Sequence, residues 1–140
     1  MFRKTMTKAL IALVLVGILG GCATFQKGPS DEEMIAAMMD AHWAAIKAND
    51  LDKTMQAYSE DFSGQNAETK SQVRDFFADA IDQGYMDELE IDNEQMQIVV
   101  DGDTATAGPV TYSVSQGSAT ADYTLKKENG AWKIVGAYMF

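Results

Sequence analysis

The sequence predicts an α+β domain, with three helices packed on one face of an antiparallel sheet. Three observations carry this. Between positions 31 and 83 the apolar residues recur at helical spacing behind side-chain caps. After Gly84 the period falls to two. The second half is then punctuated by the turn pairs Asp101-Gly102, Gln116-Gly117 and Asn129-Gly130.

The first helix starts at Asp31, because Ser30-Asp31-Glu32-Glu33 reads as a capping box after Pro29. Its apolar face includes Met34, Ile35, Met38, Met39, His42, Trp43 and Ile46, and Asn49-Asp50 ends it. Asp50 can cap a short second helix running through about Tyr58. Ser59 to Glu68 reads as a loop. Thr69-Lys70-Ser71-Gln72 is another capping box. Val73, Phe76, Phe77, Ala80 and Ile81 follow it as the apolar face of a third helix, which Gly84 stops.

Leu89 and Ile91 then alternate with acids, and Met96, Ile98 and Val100 alternate after a phase break near Asn93. Thr104 to Ser115 reads as a long strand bulged at Gly108-Pro109. In Ser118 to Lys127, Ala119, Ala121, Tyr123 and Leu125 share one face. Trp132 to Met139 forms the last strand.

Ahead of this domain lies a leader pattern. Arg3, Lys4 and Lys8 precede the apolar run Ala9 to Leu19, which closes on Leu19-Gly20-Gly21-Cys22. The run is too short for a spanning helix, which needs roughly 20 residues. The segment resembles a bacterial lipoprotein signal peptide. The resemblance implies that residues 1–21 are removed and that Cys22, the one cysteine of the chain, becomes the acylated first residue. Residues 22–30 then form the lipidated Cys and tether, and residues 31–140 the domain. The stretch Ala23 to Pro29 reaches roughly 25 Å. Ala23 stands where an Asp favours inner-membrane retention in enteric-type bacteria, which points to the outer membrane with the domain facing the periplasm.

The leader carries three of the 11 basic residues and none of the 21 acidic ones, so a processed chain would hold eight against 21, a net charge of −13. That argues against nucleic acid, which needs a basic footprint. It also argues against electrostatic docking on anionic lipid, leaving the acyl chains as the link to the bilayer.

Several segments together resemble the nuclear transport factor 2-like superfamily, particularly its SnoaL-like and ketosteroid-isomerase-like bacterial members. They are His42 to Asp52, Tyr58-Ser59-Glu60-Asp61-Phe62, the capped third helix with Phe76-Phe77, and Lys126 to Ile134. The resemblance implies a cone, in which a curved sheet wraps the helices and leaves a pocket at its open end, and it implies possible homodimers. Against the isomerase's functional positions, His42 stands where that enzyme has an oxyanion-donating Tyr. Asn66 stands at the position of its general base and cannot accept a proton as a base. Tyr123 is the nearest match to its second oxyanion donor, and the neighbouring Asp122 would point outward.

The candidate catalytic residues are therefore His42, Asp61 and Tyr123, and the candidate ligand-binding residues are His42, Trp43, Tyr58, Asn66, Phe77, Tyr112, Tyr123 and Tyr138. Each has a plainer reading as core, cap or solvated surface. Met34, Met38 and His42 form a stripe that could suit copper, but methionines also fill irregular core space, and neither a metal nor a cofactor is expected. The leading expectation is a membrane-anchored, non-catalytic envelope lipoprotein binding a small apolar ligand or a protein or peptide partner. The alternatives are an isomerase-, cyclase- or dehydratase-type SnoaL-like enzyme using His42 as acid or base, and an assembly protein acting through the outer sheet face. That face carries Thr104, Thr106, Ser113, Ser115, Thr120 and Thr124.

Overall fold

A computed structural model describes residues 28–140; the leader and Cys22 lie outside the described residues. Helix α1 spans Asp31–Lys47, and the Ser30 hydroxyl accepts the Glu33 N–H at 3.1 Å. Three acids in its first turn and Lys47 in its last agree with the helix dipole. It buries Ile35, Met39, His42, Trp43 and Ile46.

Asp50 caps α2, which spans Leu51–Met55. The expected extension through Tyr58 does not occur. The chain instead turns extended and pairs with the last strand: the Ile134 N–H donates to the Ala57 carbonyl at 2.7 Å, and the Ser59 N–H to the Ile134 carbonyl at 2.9 Å. Sheet bonding here overrides local helix propensity. Helix α3 spans Lys70–Asp82 behind a reciprocal capping box of Thr69 and Gln72. Gly84 follows with φ of 77°, a conformation glycine adopts without penalty. A 3₁₀ turn at Tyr85–Glu88, not anticipated from the sequence, leads into the sheet.

The strands are β1 (Glu90–Asp92), β2 (Gln97–Asp101), β3 (Thr104–Val114), β4 (Gly117–Glu128) and β5 (Ala131–Met139). These five strands pair antiparallel, and β1 and β2 occupy the same edge of β3. The phase break near Asn93 is real. Asp92 pairs with Thr111 and Gln97 with Gly108, so residues 93–96 stand opposite residues 109–110. On the other edge of β3, Gly108 and Pro109 stand opposite Asp122. One lane further, Val135 is the extra residue between the Leu125–Ile134 and Thr124–Gly136 pairs. Irregularities thus fall side by side in three successive lanes. Each adds bend and twist, and together they curl the sheet around the helices into the cone.

Ile35, Met39, Val110, Leu125 and Ile134 form the fully buried centre of the core. The outer edge of β5 is not left open. Residues 57–65 run along it, with the Ser63 N–H on the Val135 carbonyl (2.9 Å) and the Gln65 N–H on the Ala137 carbonyl (3.2 Å). The start of α1 is fixed to the β4–β5 hairpin, where the Asp31 carboxylate accepts from Lys127 Nζ at 2.8 Å and from Trp132 Nε1 at 3.1 Å.

Candidate functional site

The open end of the cone is a cavity of about 820 Å³ between α3 and the concave sheet face. Its inner wall is apolar: Val73, Phe77 and Ala80 from α3, Phe62 from the loop, and Val114, Ala121 and Met139 from the strands. The helical spacing of α3 splits its residues into two rows. Positions 73, 77 and 80 face inward, while Gln72, Phe76, Asp79 and Gln83 form the rim. Gln116 and Ser118, at the β3–β4 turn, also line it. Phe76, read from the sequence as part of the packed face, is 59% exposed. The apolar stripe on α3 is one residue wider than the core needs, and the surplus sits at the mouth.

Three tyrosines, Tyr58, Tyr112 and Tyr123, bring hydroxyls into this wall. The Trp43 indole N–H donates to the Tyr112 hydroxyl at 2.8 Å, and that hydroxyl lies 2.6 Å from the Tyr123 hydroxyl. Counting protons is informative. The two hydroxyls hold two protons, and one of them links the pair. Trp43 can only donate, so it accepts neither. The second proton therefore has no protein acceptor among the described residues and is available to a ligand oxygen. Burial pushes the pKa of all three tyrosines up. They stay protonated as donors and do not act as bases.

His42 is buried behind this wall. Its Nδ1 lies 3.2 Å from the Thr54 carbonyl, so the Nδ1 proton donates there, and Nε2 is left to accept the Tyr58 O–H at 3.5 Å. Burial lowers its pKa from 6.5 to about 4, opposed by the bond to Thr54. The imidazole is neutral, both nitrogens are engaged, and it lines a separate groove with Met34 and Met38 rather than the cavity.

The sequence expectation gathered eight ligand-binding candidates. The structure brings Tyr58, Asn66, Phe77, Tyr112 and Tyr123 together around the cavity. His42 and Trp43 sit one layer behind it. Tyr138 does not join them; it is 56% exposed and stacks near Phe140 at 5.8 Å between ring centroids. Tyr138 pairs with Asp122, on the opposite face from the Tyr123–Ala137 pair that lines the cavity. Asp61 is also exposed and outside the cavity lining. The two catalytic candidates His42 and Asp61 are thus not assembled around one reacting centre.

Comparison with known proteins bears on this arrangement. The family model of the anti-sigma-I factor RsgI9, C-terminal domain, matches residues 37–139. The chain belongs to that family. The match covers every helix and strand of the RsgI9 C-terminal-domain fold described above except the first turn and a half of α1. A search of curated proteins finds no match.

Among solved structures, the domain is similar to a protein of unknown function with a cystatin-like fold from Nostoc punctiforme. That pair shares 18% identity with a TM-score of 0.64, over 78% of this chain and 89% of the other. It is also similar to a nuclear transport factor 2-like protein of unknown function from Pseudomonas putida, at 16% identity and a TM-score of 0.63, over 80% and 88% of the two chains. A ketosteroid isomerase-like protein from Shewanella frigidimarina matches at 16% identity and a TM-score of 0.62, over 74% and 92%. At such identities these likenesses establish the fold, which is the nuclear transport factor 2-like cone.

For this RsgI9 C-terminal-domain relative, the Trp43–Tyr112 bond is what sequence reading missed. It joins residues 69 positions apart, and a tryptophan at a helical core spacing gives no sign of its partner.

Proposed function

We propose that the cone is a non-catalytic binding module for a small, largely apolar molecule bearing one hydrogen-bond-accepting oxygen. We further propose that acylation of Cys22 ties the module to the bacterial envelope, with the domain facing the periplasm. One observation carries the first part: an apolar cavity whose buried polar groups are neutral tyrosine hydroxyls, one proton of which is uncommitted. A volume of about 820 Å³ is in the range of small-molecule sites.

Among the described residues the cavity lining holds no imidazole, and its one carboxylate, Asp79, is exposed at the rim, so no buried group there is placed to take a proton as general acid–base catalysis needs. Asn66, at the isomerase's base position, lines the mouth and offers only an amide. The family resemblance supports a recognition role too, since an anti-sigma-I factor is a regulatory protein and the matched part is its C-terminal domain. The leader pattern of residues 1–22 supports the anchoring.

The test is mass spectrometry of small molecules retained by the full chain purified from membranes. Wild type should carry an apolar species that Ala119→Trp, which fills the cavity, does not. Equal retention by the two proteins would overturn the cavity reading.

A further inference from the structure

The cavity's charge distribution narrows its ligand. Of the residues that line it, Asp79 alone carries a charge, and that charge is negative. Its carboxylate makes no ion pair or side-chain hydrogen bond among the described residues. Its neighbours on the helix reinforce it: Asp75 and Asp82, at i−4 and i+3 from Asp79, lie on the same side of α3. The two basic residues of α3 are engaged with other acids, Lys70 with Glu60 and Arg74 with Asp52.

Helix geometry adds to the field. Asp79 and Asp82 occupy the last turn of α3, where backbone carbonyls already point a partial negative charge outward and where the helix has no basic residue. Two carboxylates there are unfavourable for the helix alone. A positive group at the rim would relieve both.

We propose that the ligand is a cationic amphiphile. Its apolar body fills the space between α3 and the sheet, an oxygen along it accepts the uncommitted Tyr112–Tyr123 proton, and its ammonium or similar cation rests at Asp79. This inference rests on the cavity reading above and adds the charge of the ligand. It excludes fatty acids and other anionic lipids, whose carboxylate would face a like charge at the mouth.

Charge preference can be read with three water-soluble probes of equal chain length, octylammonium, octanol and octanoate. Each is titrated calorimetrically against the full chain in neutral-lipid nanodiscs, with empty nanodiscs subtracted. Octylammonium should bind about fivefold or more tighter than octanoate, with octanol between them, as an exposed ion pair implies. The gap should narrow in high salt and close in Asp79→Asn. Equal binding of all three would overturn the charge inference and leave the cavity standing. Binding of none above the blank would overturn both. A preference for octylammonium that survives Asp79→Asn would remove the assignment to that carboxylate.

Discussion

The Tyr58 hydroxyl stands 3.5 Å from Nε2 of His42 and closes the imidazole off from the cavity that Tyr58 itself lines. The single histidine of the chain is therefore a core group held neutral by burial. Its folded pKa of about 4 is below its ordinary 6.5. The unfolded chain binds the proton more readily, so the stability His42 contributes is complete above pH 6.5. It is lost as pH falls toward 4, up to roughly 3 kcal/mol. Thermal melts of wild type should show this decline beginning between pH 6.5 and 5, ahead of carboxylate protonation. His42→Gln should show a flatter profile in that interval; an unchanged slope would count against the assignment.

The two tyrosines of the hydrogen-bonded pair should differ in their response to loss of the hydroxyl. Tyr112→Phe strands the buried Trp43 N–H and should cost about 1–3 kcal/mol. Tyr123→Phe leaves the Trp43–Tyr112 bond in place and should cost about 0.5–1.5 kcal/mol. Urea denaturation of both variants checks the order, and the reverse order would be inconsistent with the network.

At Gly108, β3 lies tightly against Asp122 of β4. A Cβ placed there would run into the Asp122 side chain and come within 3.0 Å of the Asp122 Cα. Gly108→Ala should therefore destabilise the domain by about 1–3 kcal/mol. Asp122→Ala, which removes only the side-chain part of the clash, should recover some of that loss in the double variant, as a double-mutant cycle would measure.

Acylation can be read directly. Intact-mass measurement of the membrane-extracted protein should give a chain beginning at Cys22 with added lipid mass. Cys22→Ser should abolish both the cleavage and the added mass. A wild-type chain that keeps residues 1–21, or one cleaved without lipid, contradicts the lipoprotein reading.

Much of the fold was legible because its determinants are local. The Ser30, Asp50 and Thr69 caps, the change of period at Gly84 and the three strand turns each act within a few residues, and each appears where expected. The over-long second helix shows the limit. Tyr58 is compatible with a helix until Ile134, 76 residues later, takes its neighbours into the sheet. Tyr138 fails for a related reason. The extra residue at Val135 shifts the phase of β5, so carrying the alternation of buried Trp132 and Ile134 forward to Tyr138 assigns the wrong face. Tyr112 and Tyr123 were legible as inward residues, but their mutual bond and its leftover proton depend on the register of β3 and β4, which no local pattern encodes.

Strand β4 also sets a direction. Its first residues, Gly117 and Ser118, border the cavity, while Lys127 near its far end grips Asp31, where the chain enters the domain. Those two points are separated by about 30 Å along the strand. A lipid on Cys22 would therefore be tethered to the end of the body remote from the opening. Cargo would then enter at one end of the domain while the tether leaves from the other.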